Sequence, residues 1–149
     1  MAIWIDGDAC PREVKDIVFR GGVKHHLQIN YIANSYHRVP QSKWIKTYQV
    51  EKELDAADLH IIAHIEAGDL LITSDIPLAS EALKKGALVT SPRGDRFSDE
   101  NIASKLATRN LMEELRQSGE VRSGPSSFTA KDKKKFADLF SAYLSKKKK

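Results

Sequence analysis

The run Leu70-Leu71-Ile72-Thr73 constrains this chain more than any other stretch. It is short, apolar and bounded by Asp69 and Ser74, which are the length and flanks of a strand covered on both faces. Asp75 then suits a helix N-cap and Pro77 a first turn. Leu78, Ala79, Ala82 and Leu83 supply that helix with a buried face, and Gly86 its exit. A strand covered on both faces that feeds straight into a helix belongs to a sheet with helices on either side.

The same alternation runs along the chain. Ala2–Ile5 reads as a first strand, and Pro11 opens a helix carrying Val14, Ile17 and Val18 at helical spacing. Gly21-Gly22 is expected to weaken or end that helix. Leu27–Ala33 reads as a strand, Asn34-Ser35 as a turn and Trp44–Val50 as a weaker strand. Leu54–Ala67 has a helical pattern closed by Gly68, and Ala87–Thr90 reads as a strand. Ser98 is expected to cap a helix through Gln117, with a Gly/Ser/Pro-rich loop over Ser118–Ser127. Thr129 and Asp132 form a capping-box pair. Phe136, Leu139, Phe140, Tyr143 and Leu144 make an apolar stripe that docks the last helix on the body. The expected fold is α/β, three-layered, with a mostly parallel sheet of about four to five strands between helices. One domain is expected over 1–145, with a flexible lysine tail at 146–149.

The chain has 149 residues, 41% apolar and 30% charged, which fits one soluble domain. No apolar run approaches the roughly 20 residues that span a bilayer. Met-Ala-Ile-Trp-Ile-Asp does not read as a signal peptide. The single cysteine, Cys10, excludes an internal disulfide and suits a reducing cytoplasm. The net charge of +4 is unevenly spread. Residues 131–149 hold eight Lys and two Asp, whereas the rest balances at −2. The lysine tail is expected to aid solubility and to add unspecific attraction for phosphate backbones. Nothing in the pattern marks an oligomeric state.

In parallel sheets, ligands sit beyond the carboxyl ends of the strands. Asp6 and Asp8 follow the first strand and Asp75 follows Leu70–Thr73, so the three collect at one sheet edge. Asp58 arrives from its helix. With Leu54 at 0°, it falls at about 40°, between Ile65 at about 20° and Ile62 at about 80°, with Asp55 on the rim. A carboxylate on an apolar stripe must be paired, hydrogen-bonded or coordinating. Two carboxylates about 4 Å apart repel by roughly 4 kcal/mol at an effective dielectric near 20. A cation relieves that repulsion, and Mg²⁺ or Mn²⁺ matches oxygen donors. Thr73 and Ser74 are candidates to position water or phosphate, Asn34 to bond a ligand or shape its turn, and Arg109 to face the acids or a phosphate. Cys10 is expected to be a small buried residue and His60 and His64 to face solvent. His25-His26 have no evident ligand partner. Asp69 is expected to begin its strand, and Asp95 to sit in a Gly-Asp turn.

At Asp6-Gly-Asp-Ala-Cys-Pro11 the chain resembles the YaiI/YqxD family of bacterial proteins. The similarity continues through Gly68–Ala79, Pro92-Arg-Gly94, Asn101-Ile102, Arg109, Gly124-Pro125 and Phe128. That family looks like a relative of PIN domains, which are metal-dependent nucleases. The resemblance implies that Asp6 matches the acid ending the first PIN strand. It matches Asp58 to the mid-chain helix acid and Thr73-Ser74-Asp75 to the Thr-x-Asp motif. Asp8 stands in for a further acid on an early helix.

The leading expectation is a Mg²⁺- or Mn²⁺-dependent phosphodiesterase acting on nucleic acid, RNA above others, with Asp6, Asp8, Asp58 and Asp75 as metal ligands and catalytic groups. One alternative is a haloacid-dehalogenase-like phosphatase with Asp6 as nucleophile and Asp8 as acid/base. The other is a metal-stabilised nucleic-acid-binding module without turnover.

Overall fold

Leu70–Ile72 forms an interior strand in which every residue is buried. The structure, a computed structural model, describes residues 1–51, 56–119 and 127–147. Its strands are β1 (Ala2–Asp6), β2 (Gln28–Ala33), β3 (Ile45–Gln49), β4 (Leu70–Ile72), β5 (Leu88–Thr90) and β6 (Arg96–Phe97). Its helices are α1 (Arg12–Lys24), α2 (Ala56–His64), α3 (Ile76–Lys84), α4 (Ile102–Gln117) and α5 (Ala130–Lys147). Among the described residues, no helix is long and apolar enough to cross a membrane.

The six strands make one sheet in the order β3-β2-β1-β4-β5-β6. The first five are parallel, and β6 returns antiparallel on β5. The chain therefore winds outward from β1 through β2 to β3, then crosses back to lay β4 on the other side of β1. Ile3 lies opposite both Ile29 and Leu70, and Ile5 opposite Tyr31 and Ile72. Strand β6 was not expected: a two-residue pairing of Arg96 and Phe97 with Thr90 and Val89 leaves no periodicity to read.

Side chains alternate across the sheet. Ile3, Ile5, Leu70 and Ile72 pack with Val14 and Val18 of α1 and Phe136 and Phe140 of α5. Trp4 and Leu71 pack on the opposite face with Ile61, Leu78, Ala79 and Ala82 of α2 and α3. The three layers follow from this.

Several boundaries differ from expectation. Helix α1 runs through Gly21-Gly22 to Lys24. A Cβ on Gly22 would stand 2.4 Å from Cδ1 of Ile29, so the glycine is where β2 closes on the helix. That packing outweighs a helix cost of about 1 kcal/mol per glycine. Helix α4 starts at Ile102, not after Ser98, because the Asn101 side chain holds a turn, accepting from Ser98 N and donating to Arg96 O, each at 2.9 Å. Helix α2 ends at His64, and Leu54, Asp55 and residues 120–126, with Gly124-Pro125, lie outside the described residues. Helix α5 continues to Lys147, so the expected tail is helical at Lys146 and Lys147, and residues 148–149 lie outside the described set. The Thr129–Asp132 box forms as expected: Thr129 N donates to Asp132 at 3.0 Å and Asp132 N to Thr129 Oγ1 at 3.2 Å.

Asp69 does more than begin a strand. It is 4% exposed. Its Oδ1 accepts from Ala2 N at 2.9 Å, and its Oδ2 from Trp4 Nε1 and Glu66 N at 3.0 Å. It locks the start of β1 to the loop before β4. Replacing it with alanine orphans these donors. Asp69→Ala is expected to cost about 2–4 kcal/mol in urea unfolding. Asp69→Asn is expected to destabilise as well, because its NH₂ meets an N–H donor whichever way the amide faces.

Candidate functional site

Winding reverses between β1 and β4, and this switch point is where open α/β sheets bind ligands. Asp6 ends β1 there, and Thr73-Ser74-Asp75 follows β4. Thr73 is 1% exposed. Its hydroxyl donates to Asp6 Oδ2 at 2.9 Å and accepts from Asp75 N at 3.0 Å. Asp75 caps α3, its Oδ1 accepting from Leu78 N at 3.0 Å. One hydroxyl thus joins the Asp6 carboxylate to the backbone of Asp75, and each of the two carboxylates has one oxygen committed to a protein donor.

Burial pushes the Asp6 carboxyl above its usual range. The Thr73 hydrogen bond opposes the shift, while the charges of Asp75 and then Asp8 add to it. Asp6 is therefore a desolvated acid held near two like charges, with one hydroxyl as partial compensation.

Asp8 turns away from this pair. Its Oδ2 accepts from Asn34 N at 2.8 Å, and its Oδ1 lies 3.7 Å from His37 Nε2. His37 also meets Ser35 Oγ at 3.0 Å through Nε2, and the Tyr31 hydroxyl and Lys15 Nζ through Nδ1. The Tyr31 ring fills the space beside Gly7, where a Cβ would come within 2.4 Å of it. Gly7 therefore lets the Asp6-Gly7-Asp8 turn lie on that ring. His37, Tyr31 and Ser35 were missed from sequence. Tyr31 reads as an ordinary strand residue, and no spacing links His37 to Asp8.

Asn34 works through its backbone N–H on Asp8. Asp58 is half-buried in the first turn of α2, where Ile61 is buried and Ala57 and Ile62 are partly so. That turn borders the carboxyl ends of β2 and β3, since Ala56 and His60 share a hollow with Asn34 and Gln49. Thr73 is buried, its hydroxyl donating to Asp6 and accepting from Asp75 N, which leaves one acceptor position on it. Ser74 is exposed. It lines a cleft of about 800 Å³ together with Arg109. Arg109 is exposed on α4, where it lines this cleft with its Nη1 3.3 Å from Asn110 Oδ1.

Among the described residues, no three His, Cys, Asp or Glu side chains are grouped to hold a metal ion. The expected quartet of Asp6, Asp8, Asp58 and Asp75 is thus not gathered as one cage, and Asp8 accepts from Asn34 N instead. Cys10 is buried, with its thiol pushed up to about 12 by desolvation, and is no nucleophile. His60 does not simply face solvent: its ring lies 4.8 Å from that of Tyr48 and 6.5 Å from Trp4, and burial lowers its pKa. His26 stacks on Trp44 at 5.1 Å. Asp95 sits in the expected turn, its N bonded to Ser91 Oγ at 3.1 Å.

A family model described as uncharacterized BCR, YaiI/YqxD family, matches residues 4–146. A UPF0178 protein of Bordetella avium is 46% identical over 98% of this chain and 95% of its own. One from Legionella pneumophila is 45% identical over 99% of this chain and 100% of its own. One from Saccharophagus degradans is 44% identical over 98% and 97%. No solved structure matches the chain.

The raised Asp6 pKa carries a stability consequence. Between its unfolded and folded pKa values the folded chain binds more protons at Asp6. Its contribution is fully present below the unfolded pKa and is lost as pH rises through the folded pKa. Asp6→Asn, which keeps an acceptor for Thr73, is expected to unfold at a higher temperature than wild type at pH 7 without divalent cations. The gain should shrink toward pH 4 in thermal melts.

Proposed function

This chain belongs to the YaiI/YqxD family, and we propose that it is a Mg²⁺- or Mn²⁺-dependent phosphodiesterase acting on RNA or another nucleic acid. The observation that carries this reading is the desolvated Asp6 carboxylate, hydrogen-bonded through Thr73 to the Asp75 turn at the switch point, with its pKa raised by burial and by neighbouring acids. Evolution rarely keeps such a group without a counter-charge or a task. Mg²⁺ needs only one or two carboxylates when water and substrate phosphate complete its shell. Asp6 and Asp75 fit that need, although a cage of four aspartates is not assembled.

A divalent cation there supplies charge for a phosphoryl oxygen and a lowered pKa for water. The chain's own residues prepare the place. Thr73 fixes the Asp6 rotamer and the Asp75 turn together. Ser74, beside them at the cleft, offers a hydroxyl to a phosphate oxygen. Asp8 adds negative field from the β2 side. The likeness of Asp6, Asp58 and Thr73-Ser74-Asp75 to the PIN pattern supports the same reading. The phosphatase alternative needs Asp8 beside the atom that Asp6 attacks. Its hydrogen bond to Asn34 and its approach to His37 weigh against that.

Purified protein with Mn²⁺ is expected to cleave labelled single-stranded RNA. Asp6→Asn and Asp75→Asn should each lower the rate by on the order of 10²-fold or more. Asparagine caps a helix as well as aspartate does, so Asp75→Asn tests charge rather than folding. Cleavage unchanged in both variants would assign the activity to a contaminant. Calorimetric Mn²⁺ binding without cleavage would favour the non-catalytic module.

A further inference from the structure

We propose that the cleft between α4 and the β5–β6 corner is a channel for single-stranded nucleic acid, leading the strand along Lys105, Arg109 and Arg116 to Ser74. The path ends where Asp6 and Asp75 lie. The cleft holds about 800 Å³ and is lined by those cations, by Met112 and Phe128, and by Ser74 at the acid-bearing turn. This volume is within the range of natural ligand sites.

The cations form one row. Positions 105, 109 and 116 fall within about 40° of each other around a helix and span on the order of 16 Å along it. The other charges of the lining are already matched: Arg93 pairs with Asp132 at 3.1 Å, and Asp95 pairs with Lys135. Glu113 lies 3.7 Å from Arg116, but both side chains are about half exposed, and such a pair is worth little against a phosphate. Lys105 also lies over the Phe97 ring at 5.6 Å.

Helix α4 supplies the second half of the case. It is 16 residues long and buries none of them, although most helices of this length bury a stripe. Its Met112 lines the cleft instead, as does Phe128. A row of cations beside apolar and aromatic side chains suits phosphates on one side and unpaired bases on the other. An acidic peptide would use the cations and leave those surfaces idle. The direction of the strand rests on the phosphodiesterase reading, but the binding itself does not.

The test is fluorescence anisotropy with a fluorescein-labelled oligo-uridine of about ten nucleotides, in EDTA, so that no metal and no cleavage enter. Arg109→Gln with Arg116→Gln is expected to weaken binding by roughly tenfold and to reduce the slope of log affinity against log salt by about 1.4. Circular dichroism should report an intact helix in that variant. Asp6→Asn should bind at least as tightly as wild type. Lys131→Gln with Lys133→Gln, the same charge loss on α5, should change affinity less than about twofold. The channel is overturned if the α4 variant binds like wild type, if the α5 variant weakens binding equally, or if a labelled polyglutamate peptide binds as tightly as the oligonucleotide. Oligonucleotide binding through α4 with no cleavage under Mn²⁺ would sink the phosphodiesterase reading alone. Cleavage lost in Asp6→Asn, with binding indifferent to the α4 variant, would sink the channel alone.

Discussion

The pairing of β1 with β4 sets the rest of the molecule. It places Ile3 and Ile5 against Leu70 and Ile72 in the middle of the sheet and creates the point where the winding reverses. A carboxylate sits at each end of this pair, and the two have opposite electrostatic fates. Asp69, at the amino end, is buried and accepts from Ala2 N, Trp4 Nε1 and Glu66 N. Asp6, at the carboxyl end, accepts from Thr73 and also meets the fields of Asp75 and Asp8. A buried charge surrounded by donors holds structure together. One left among like charges is held by the fold at a cost, as sites for chemistry commonly are.

The same logic explains why the nearby acids are not interchangeable. Asp75 is anchored at a helix N-terminus, its Oδ1 accepting from Leu78 N. Asp8 lies one residue beyond Gly7, on the far side of a turn that rests on Tyr31. Asn34 N donates to one of its oxygens and His37 Nε2 lies 3.7 Å from the other, while its charge is felt at Asp6. The Tyr31 hydroxyl, raised in pKa by burial, then by Cys10 and the acids, remains a neutral partner for His37. Asp6-Gly7-Asp8 reads in sequence as two acids at one strand end, and the fold gives each its own partners.

What was legible in sequence was whatever depends on period and on strand ends. The buried run at Leu70–Ile72, the Asp75 cap, the Thr129–Asp132 box and the apolar stripe of α5 all express local rules, and each formed. The stripe around Asp58 was readable for the same reason. What was not legible depends on contacts between distant segments. Asp69 looks like a strand opener until Trp4 Nε1 arrives from a residue 65 positions away. Gly22 looks like a helix breaker until Ile29 closes on it. His37 carries no spacing signal because its partners Tyr31, Asp8 and Lys15 come from three separate elements. Strand β6 is too short to have a period at all.

Charge shows the limit of sums. Outside residues 131–149 the balance of the chain is −2, which argues against a basic surface on the body. Yet charge is unevenly placed on that body. Asp6 and Asp75 lie at the carboxyl ends of β1 and β4, while Lys105, Arg109 and Arg116 share one side of α4 and line a cleft with Ser74. A polyanion feels local potential, not the total, because salt screens charges beyond about 8 Å at physiological ionic strength. An acidic centre by itself would repel a phosphodiester. Under the proposed reading, a basic cleft beside it would neutralise the neighbouring phosphates of a strand while one phosphate meets the acids. The two charge patterns cancel in composition but lie next to each other in space, and that adjacency is what makes a polymeric anion the proposed substrate rather than a small one.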